Sequence, residues 1–228
     1  MMSGLGLIVA AGGSSSRFGG NKLFERVNGR PVFIVCLQNL LPSVGIDNAV
    51  LVVPVDLREE YRAILNEFSL GSLRLADGSA DRAASVRSGL AALPHELDYV
   101  AIQDAARPLT TPDLLRRCHE AALAFGASVA AHRVTDTIKV ADGEGFAIST
   151  PDRSTLWAAE TPQTFRRSLL EDAYRQCAAQ GIAVTDDAQA VQLIGHRVKL
   201  VENQEPNIKI TYRQDLEFLH NMLNNKEK

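Results

Sequence analysis

The chain has 228 residues, 46% of them hydrophobic, enough to bury a full core in one compact domain with an excursion. A net charge of -3, 6% aromatic residues and the lack of any Lys/Arg-rich run argue against a nucleic-acid polymer or an anionic membrane as partner. Cys36, Cys118 and Cys177 are odd in number and far apart, so neither a disulfide framework nor a zinc knuckle is signalled, and a reducing cytoplasm is the expected setting. With no charged leader before the first apolar run and no apolar stretch near ~18 residues, neither export nor membrane spanning is expected.

In chain order, Leu5 to Ala10 reads as a buried strand, followed by a helix from Pro31 to Leu41, a strand Ala49 to Val53 and a helix Asp56 to Phe68. Strand Leu73 to Ala76 leads into a helix at Asp81 to Leu93, and strand Tyr99 to Gln103 into a helix at Pro112 to Phe125. Strand Ser128 to Ala131 follows. This βα order predicts an α/β fold, Rossmann-like, with a mostly parallel sheet, helices on both faces and ligands at the carboxyl ends of the strands. Between Arg133 and Thr164 the alternation breaks. Val134 to Val140 reads as a strand, Asp142-Gly143 as a turn and Phe146 to Thr150 as the return, a protruding β-arm. Such an arm cannot bury its apolar side alone, which makes a second subunit the expected cover. Helices at Arg166 to Gln180, Asp186 to Leu193 and Gln214 to Leu223 complete the chain, with strands at Val198 to Val201 and Ile208 to Ile210.

Three polar loops leave the strand ends: Gly12 to Lys22, Asp77 to Ser85 and Asp104 to Arg107. In the first, glycines and serines let backbone N–H groups approach an anion, and Arg17 and Lys22 supply positive charge for a phosphate. A plain βα turn with two surface cations is the alternative. A P-loop is excluded because Lys22 lies between Asn21 and Leu23, and a dinucleotide fingerprint because Gly12 and Gly13 are adjacent and the second strand ends on Pro54. Lys209 sits between Ile208 and Ile210, where an unpaired charge would be costly. The five histidines show no paired ligand spacing, and Asp186-Asp187 most simply caps a helix.

An ordered set of segments carries a resemblance. Ala10-Ala11-Gly12 with Arg17 and Lys22, Asp77-Gly78 with Asp81 to Val86, and Asp104-Ala105-Ala106-Arg107-Pro108 come first; Asp136 to Lys139, Trp157 with Thr161-Pro162-Gln163, and Asn207 to Thr211 follow. The chain resembles the 2-C-methyl-D-erythritol 4-phosphate cytidylyltransferases over nearly its whole length. The resemblance implies transfer of CMP from CTP to a polyol phosphate with release of pyrophosphate, with Arg17, Lys22 and Lys209 as catalytic cations. It implies cytosine contacts from Ala10, Ala11, Gly12 and the Gly78 to Arg82 loop, with Ser85, which taken alone reads more simply as a first-turn residue that binds nothing. Arg107, Thr137, Arg153 and Lys209 would hold the sugar phosphate. Mg²⁺ would neutralise the triphosphate with Asp104 as its carboxylate, though Asp104 reads as readily as a turn cap. By the same resemblance residues 133–164 are a dimerisation arm, with Thr137 and Arg153 reaching the neighbouring subunit of a homodimer that exchanges arms. Departures are Gln103 where the family has His, Asn21 and Leu23 around the loop lysine, and a short Arg17 to Lys22 spacing. A ribitol-5-phosphate cytidylyltransferase and a non-catalytic nucleotide-binding relative are the alternatives. Ala105-Ala106 and Trp157 ahead of Thr161-Pro162-Gln163 lean toward methylerythritol phosphate.

Overall fold

The computed structural model describes residues 2–12, 18–79 and 81–226. Its strands are β1 Leu5–Ala10, β2 Arg26–Val27, β3 Arg30–Pro31, β4 Ala49–Val53, β5 Arg74–Asp77, β6 Tyr99–Asp104, β7 Ala127–Arg133, β8 Val140–Ala141, β9 Ala147–Ser149, β10 Trp157–Arg166 and β11 Lys199–Glu202. Its α-helices are α1 Val32–Val44, α2 Arg58–Glu67, α3 Arg82–Ala92, α4 Pro112–Phe125, α5 Arg167–Ala179, α6 Asp187–Leu193 and α7 Arg213–Lys226. Seven strands form one sheet in the order β11-β7-β10-β6-β1-β4-β5. All neighbouring pairs are parallel except those of β10, which runs antiparallel to both β6 and β7. The fold is the Rossmann-like, mostly parallel α/β sheet expected.

Alternation along β1 explains the two layers. Leu5, Leu7 and Val9 pack with α1, Tyr61 and Leu65 of α2, Leu115 of α4 and Leu219 of α7. Ile8 faces the other way, into α3, α5 and α6. A strand covered on both sides must be apolar throughout, and β1 and β4 are. Helix ends are set locally. Asp81 caps α3 by accepting the Ala83 and Ala84 N–H groups, Thr111 caps α4 ahead of Pro112, and Gly126 ends α4 at φ 84°.

Three expectations need correction. The excursion is expected to run from Arg133 to Thr164, yet Trp157–Arg166 is β10, an interior strand paired on both sides, so the excursion ends at Leu156. Val134 to Val140 is not a strand: only Val140–Ala141 pairs with Ala147–Ser149, and Asp142 closes the turn by accepting the Glu144 and Phe146 N–H groups. The β-branched run lies exposed with no neighbouring strand along it. Ile208 to Ile210 forms no ladder either. Its backbone is tied to the sheet region through the Ile210 N–H, which donates to Ala106 O at 2.8 Å. Among the described residues, no helix is long and apolar enough to cross a membrane.

Candidate active site

The carboxyl ends of β1, β4, β5 and β6 lie side by side, because these four strands are parallel neighbours. The Ala11 N–H donates to Val52 O at 2.8 Å and the Ala105 N–H to Ala10 O at 3.0 Å, which fixes Ala10, Ala11 and Gly12 beside the start of the Asp104 loop. Gly78 donates to Val53 O at 2.7 Å, and a Cβ there would stand 3.1 Å from that same oxygen. A side chain there would push that backbone carbonyl aside by a few tenths of an ångström, which glycine avoids. Ser85 fixes the shape of this loop: its hydroxyl accepts the Ser79 N–H at 2.8 Å and lies 3.1 Å from both Ser79 O and Asp81 O. The hydroxyl is thus engaged inside the loop, and the ordinary first-turn alternative gains a specific role.

Asp104, buried at the end of β6, is the electrostatic centre. Lys209 Nζ lies 2.8 Å from its Oδ2, Arg82 Nη1 3.2 Å from its Oδ1 and Arg107 Nε 3.7 Å from its Oδ2. Burial would push the Asp104 carboxyl up, but Lys209, Arg82 and Arg107 together outweigh it and hold the group well below the usual carboxylate range. Arg82 is shared with a second carboxylate, the fully buried Asp187, at 2.7 Å. Burial raises the Asp187 pKa, and Arg82 and the Tyr174 hydroxyl donating to it offset that only in part. Arg107 also donates to Asn207 O at 2.6 Å, while its buried Nε lacks a hydrogen-bond partner.

Arg82, Asp104, Arg107 and Lys209 are therefore brought together from loops 127 residues apart at the extremes. Lys22 is partly buried on the loop that returns toward α1. Asn21 and Leu23 anchor that loop: Asn21 Oδ1 accepts the Leu23 N–H at 3.2 Å, and the Leu23 side chain enters the core. Arg17 lies outside the described residues. Thr137 and Arg153 sit on the exposed excursion, where Arg153 donates to Thr135 O at 2.6 Å. Gln103 is buried and donates to Thr110 Oγ1 at 2.8 Å and Asp104 O at 3.1 Å, so it braces the loop from behind.

Asp104 does not fit a direct Mg²⁺ ligand. Both of its oxygens already face cations, and among the described residues no group of three or more His, Cys, Asp or Glu could hold a metal. As a counter-ion that keeps three cations gathered, it fits well. Asp187, Thr161, Gln163 and Asn207 also shape the site. Gln163 donates to Asp186 and accepts the Ala188 N–H, pinning the start of α6, and the Asp104 N–H donates to Thr161 Oγ1 at 3.0 Å.

Known proteins match the chain over nearly its whole length. The family model described as IspD, 2-C-methyl-D-erythritol 4-phosphate cytidylyltransferase, matches residues 5–225. The chain belongs to this family. The 2-C-methyl-D-erythritol 4-phosphate cytidylyltransferase of Thermosynechococcus vestitus is 37% identical over 224 residues, covering 96% of this chain and 95% of that one. A bifunctional enzyme IspD/IspF from Desulfotalea psychrophila is 35% identical over 228 residues, and the chain spans 58% of its length. The crystal structure of 4-diphosphocytidyl-2C-methyl-D-erythritol synthase from Anaerococcus prevotii has a TM-score of 0.84 at 28% identity, covering 96% of each chain. Membership in a cytidylyltransferase family makes this chain a nucleotidyltransferase, and open α/β sheets bind their ligands outside the carboxyl ends of the strands, the end at which this cluster lies.

Proposed function

We propose that the chain transfers CMP from CTP to 2-C-methyl-D-erythritol 4-phosphate. An oxygen of the polyol phosphate attacks the α-phosphorus of CTP, the bond to the bridging oxygen breaks, and pyrophosphate leaves with the electron pair. Such a reaction asks the protein to align repelling anions and stabilise charge, not to supply a nucleophile. The observation that carries the assignment is the collection of Lys209, Arg82 and Arg107 around buried Asp104 at the strand ends. An incoming phosphate can take over cations that Asp104 holds, because their geometry is set before substrate arrives.

In this reading Ala10, Ala11, Gly12 and the Gly78 to Arg82 loop take the cytosine, Arg17 and Lys22 the triphosphate, and Arg107 with Lys209 the sugar phosphate. Ser85 serves by holding the loop. Thr137 and Arg153 complete the site of a second subunit in a homodimer with exchanged arms. The exposed Phe146, Ile148, Val140 and Ile138 on the excursion, at 68%, 64%, 42% and 38%, support a partner there. Mg²⁺ and a cytoplasmic setting belong to the same proposal.

Pyrophosphate release tests it. With CTP, release should require a polyol phosphate and favour methylerythritol phosphate over ribitol phosphate. Lys22→Ala should lower kcat by about 10² with little change in KM for CTP, and Arg107→Ala should raise KM for the polyol phosphate more than for CTP. Better turnover of ribitol phosphate would move the assignment to that substrate, and none with either to a binding module. Undiminished activity after chelation would remove Mg²⁺.

A further inference from the structure

Glu160 is a buried carboxylate outside the cation cluster. It stands on β10 directly before the cis Thr161–Pro162 bond, where the pairing of β10 with β7 shifts register between Ala159 and Gln163. Only 4% of it is exposed. A carboxylate so placed is costly unless its oxygens are partnered, and both are. Oε2 accepts from Asn203 Nδ2 at 3.0 Å and from Asn207 Nδ2 at 2.8 Å, and Oε1 lies 2.6 Å from His132 Nδ1 on β7.

Asn207 carries the connection onward to the site. Its amide also donates to Thr161 O at 2.9 Å, its Oδ1 accepts from Thr110 Oγ1 at 2.8 Å, and its backbone carbonyl accepts from Arg107 at 2.6 Å. Two residues further on, Lys209 reaches Asp104, and Ile210 is tied to Ala106. The 203–210 stretch has no ladder of its own, so these bonds are what place its lysine.

We propose that Glu160 is a positioning residue: by gripping the Asn207 amide it fixes the 207–210 segment, and so sets Arg107 and Lys209 against the phosphate-bearing substrate. This rests on the assignment of those two cations to the sugar phosphate. A misplacement of about 1 Å at a reacting group can cost about 10²-fold in rate. The same carboxylate engages His132, next to Arg133 at the root of the excursion, so arm and lysine segment share one anchor.

The test uses Glu160→Gln and Glu160→Ala enzymes, steady-state kinetics for both substrates, and hydrogen exchange at the Ile210 amide. Glutamine keeps an oxygen that can accept from both asparagines and should restore near wild-type kinetics. Alanine should lower kcat/KM for the polyol phosphate by about tenfold or more, leave KM for CTP within about twofold, and speed Ile210 exchange. Asn207→Asp, which sets a second carboxylate against Glu160, should reproduce that split and serves if the alanine variant does not fold. Equal losses for both substrates, unchanged kinetics in a folded variant, or unchanged Ile210 exchange would overturn the positioning role. Arg107→Ala and Lys209→Ala run beside them. If those two lose activity while Glu160→Ala does not, the positioning role alone fails; if both retain wild-type turnover, the assignment of the cations fails and the proposal with it.

Discussion

At the scale of single residues, His119 shows burial acting on one titratable group. It lies on α4, its ring edge-to-face with Tyr99 at 5.6 Å, and its buried Nε2 has no hydrogen-bond partner. Burial lowers its pKa from the usual 6.5 against a smaller opposing pull from Glu120. A histidine whose folded pKa lies below its unfolded one takes up a proton more readily when the chain unfolds. Stability is therefore intact above about pH 6.5 and is lost as pH falls from there toward the folded pKa. Tm should fall as pH drops below about 6.5, and His119→Gln should flatten that fall; parallel profiles would show that other groups carry it. Asp104 acts later on the acid side. Its depressed pKa gives stability present above the unfolded carboxylate value and lost only as pH falls through the folded one. In the site, Lys209 was legible because a charge between apolar residues demands a partner and Asp104 because it ends a strand, whereas Arg82 and Arg107 came from the family resemblance. Glu160 and Asn207 were not, since they meet across 47 residues, and Asp187 meets Arg82 across 105. No local spacing marks such pairs.

Among the elements, α3 is packed tightly against the sheet. A Cβ on Gly89 would come within 2.9 Å of Ile8 Cγ2 and 3.0 Å of Val52 Cγ2, so the helix packs where only hydrogen fits. Gly89→Val should destabilise by about 1–3 kcal/mol or more through overpacking, visible as a lower urea midpoint with m unchanged. An unaltered midpoint would mean that α3 shifts freely, which would in turn move the Asp81 cap and the loop behind Gly78. The strands flanking α3 were readable from apolar runs ended by Asp, Gly and Pro. β10 was not. Ala158-Ala159-Glu160-Thr161-Pro162-Gln163 has neither alternation nor β-branched weight, and a proline inside an interior strand argues against strand. The structure accommodates Pro162 where the ladder to β7 is interrupted. The β-branched run Val134 to Val140 misled in the opposite direction, because propensity for extended backbone finds no neighbour on an exposed excursion.

For the whole molecule, the proposed exchange of arms has a quantitative consequence. Take Lys22→Ala, defective in the pocket, and Arg153→Ala, defective in the arm. In a mixed dimer one site carries both defects and the other neither. Random re-association should recover about a quarter of wild-type activity, since half the dimers are mixed and half their sites are intact. No recovery after verified subunit exchange would leave the arm serving its own chain or none. The topology says more about that excursion. β7 and β10 are neighbours, Arg133 pairs with Trp157 and its guanidinium lies 4.4 Å over the indole, and the Val134 N–H donates to Leu156 O at 3.2 Å. The two ends of the excursion are thus already joined by the sheet, and its length adds only slowly to the entropy of closing it. Residues 134–156 form a cassette: insertions, deletions or wholesale replacement there leave the domain's own core untouched. Their sequence is therefore free of the packing constraints that the core imposes on the strands at either end.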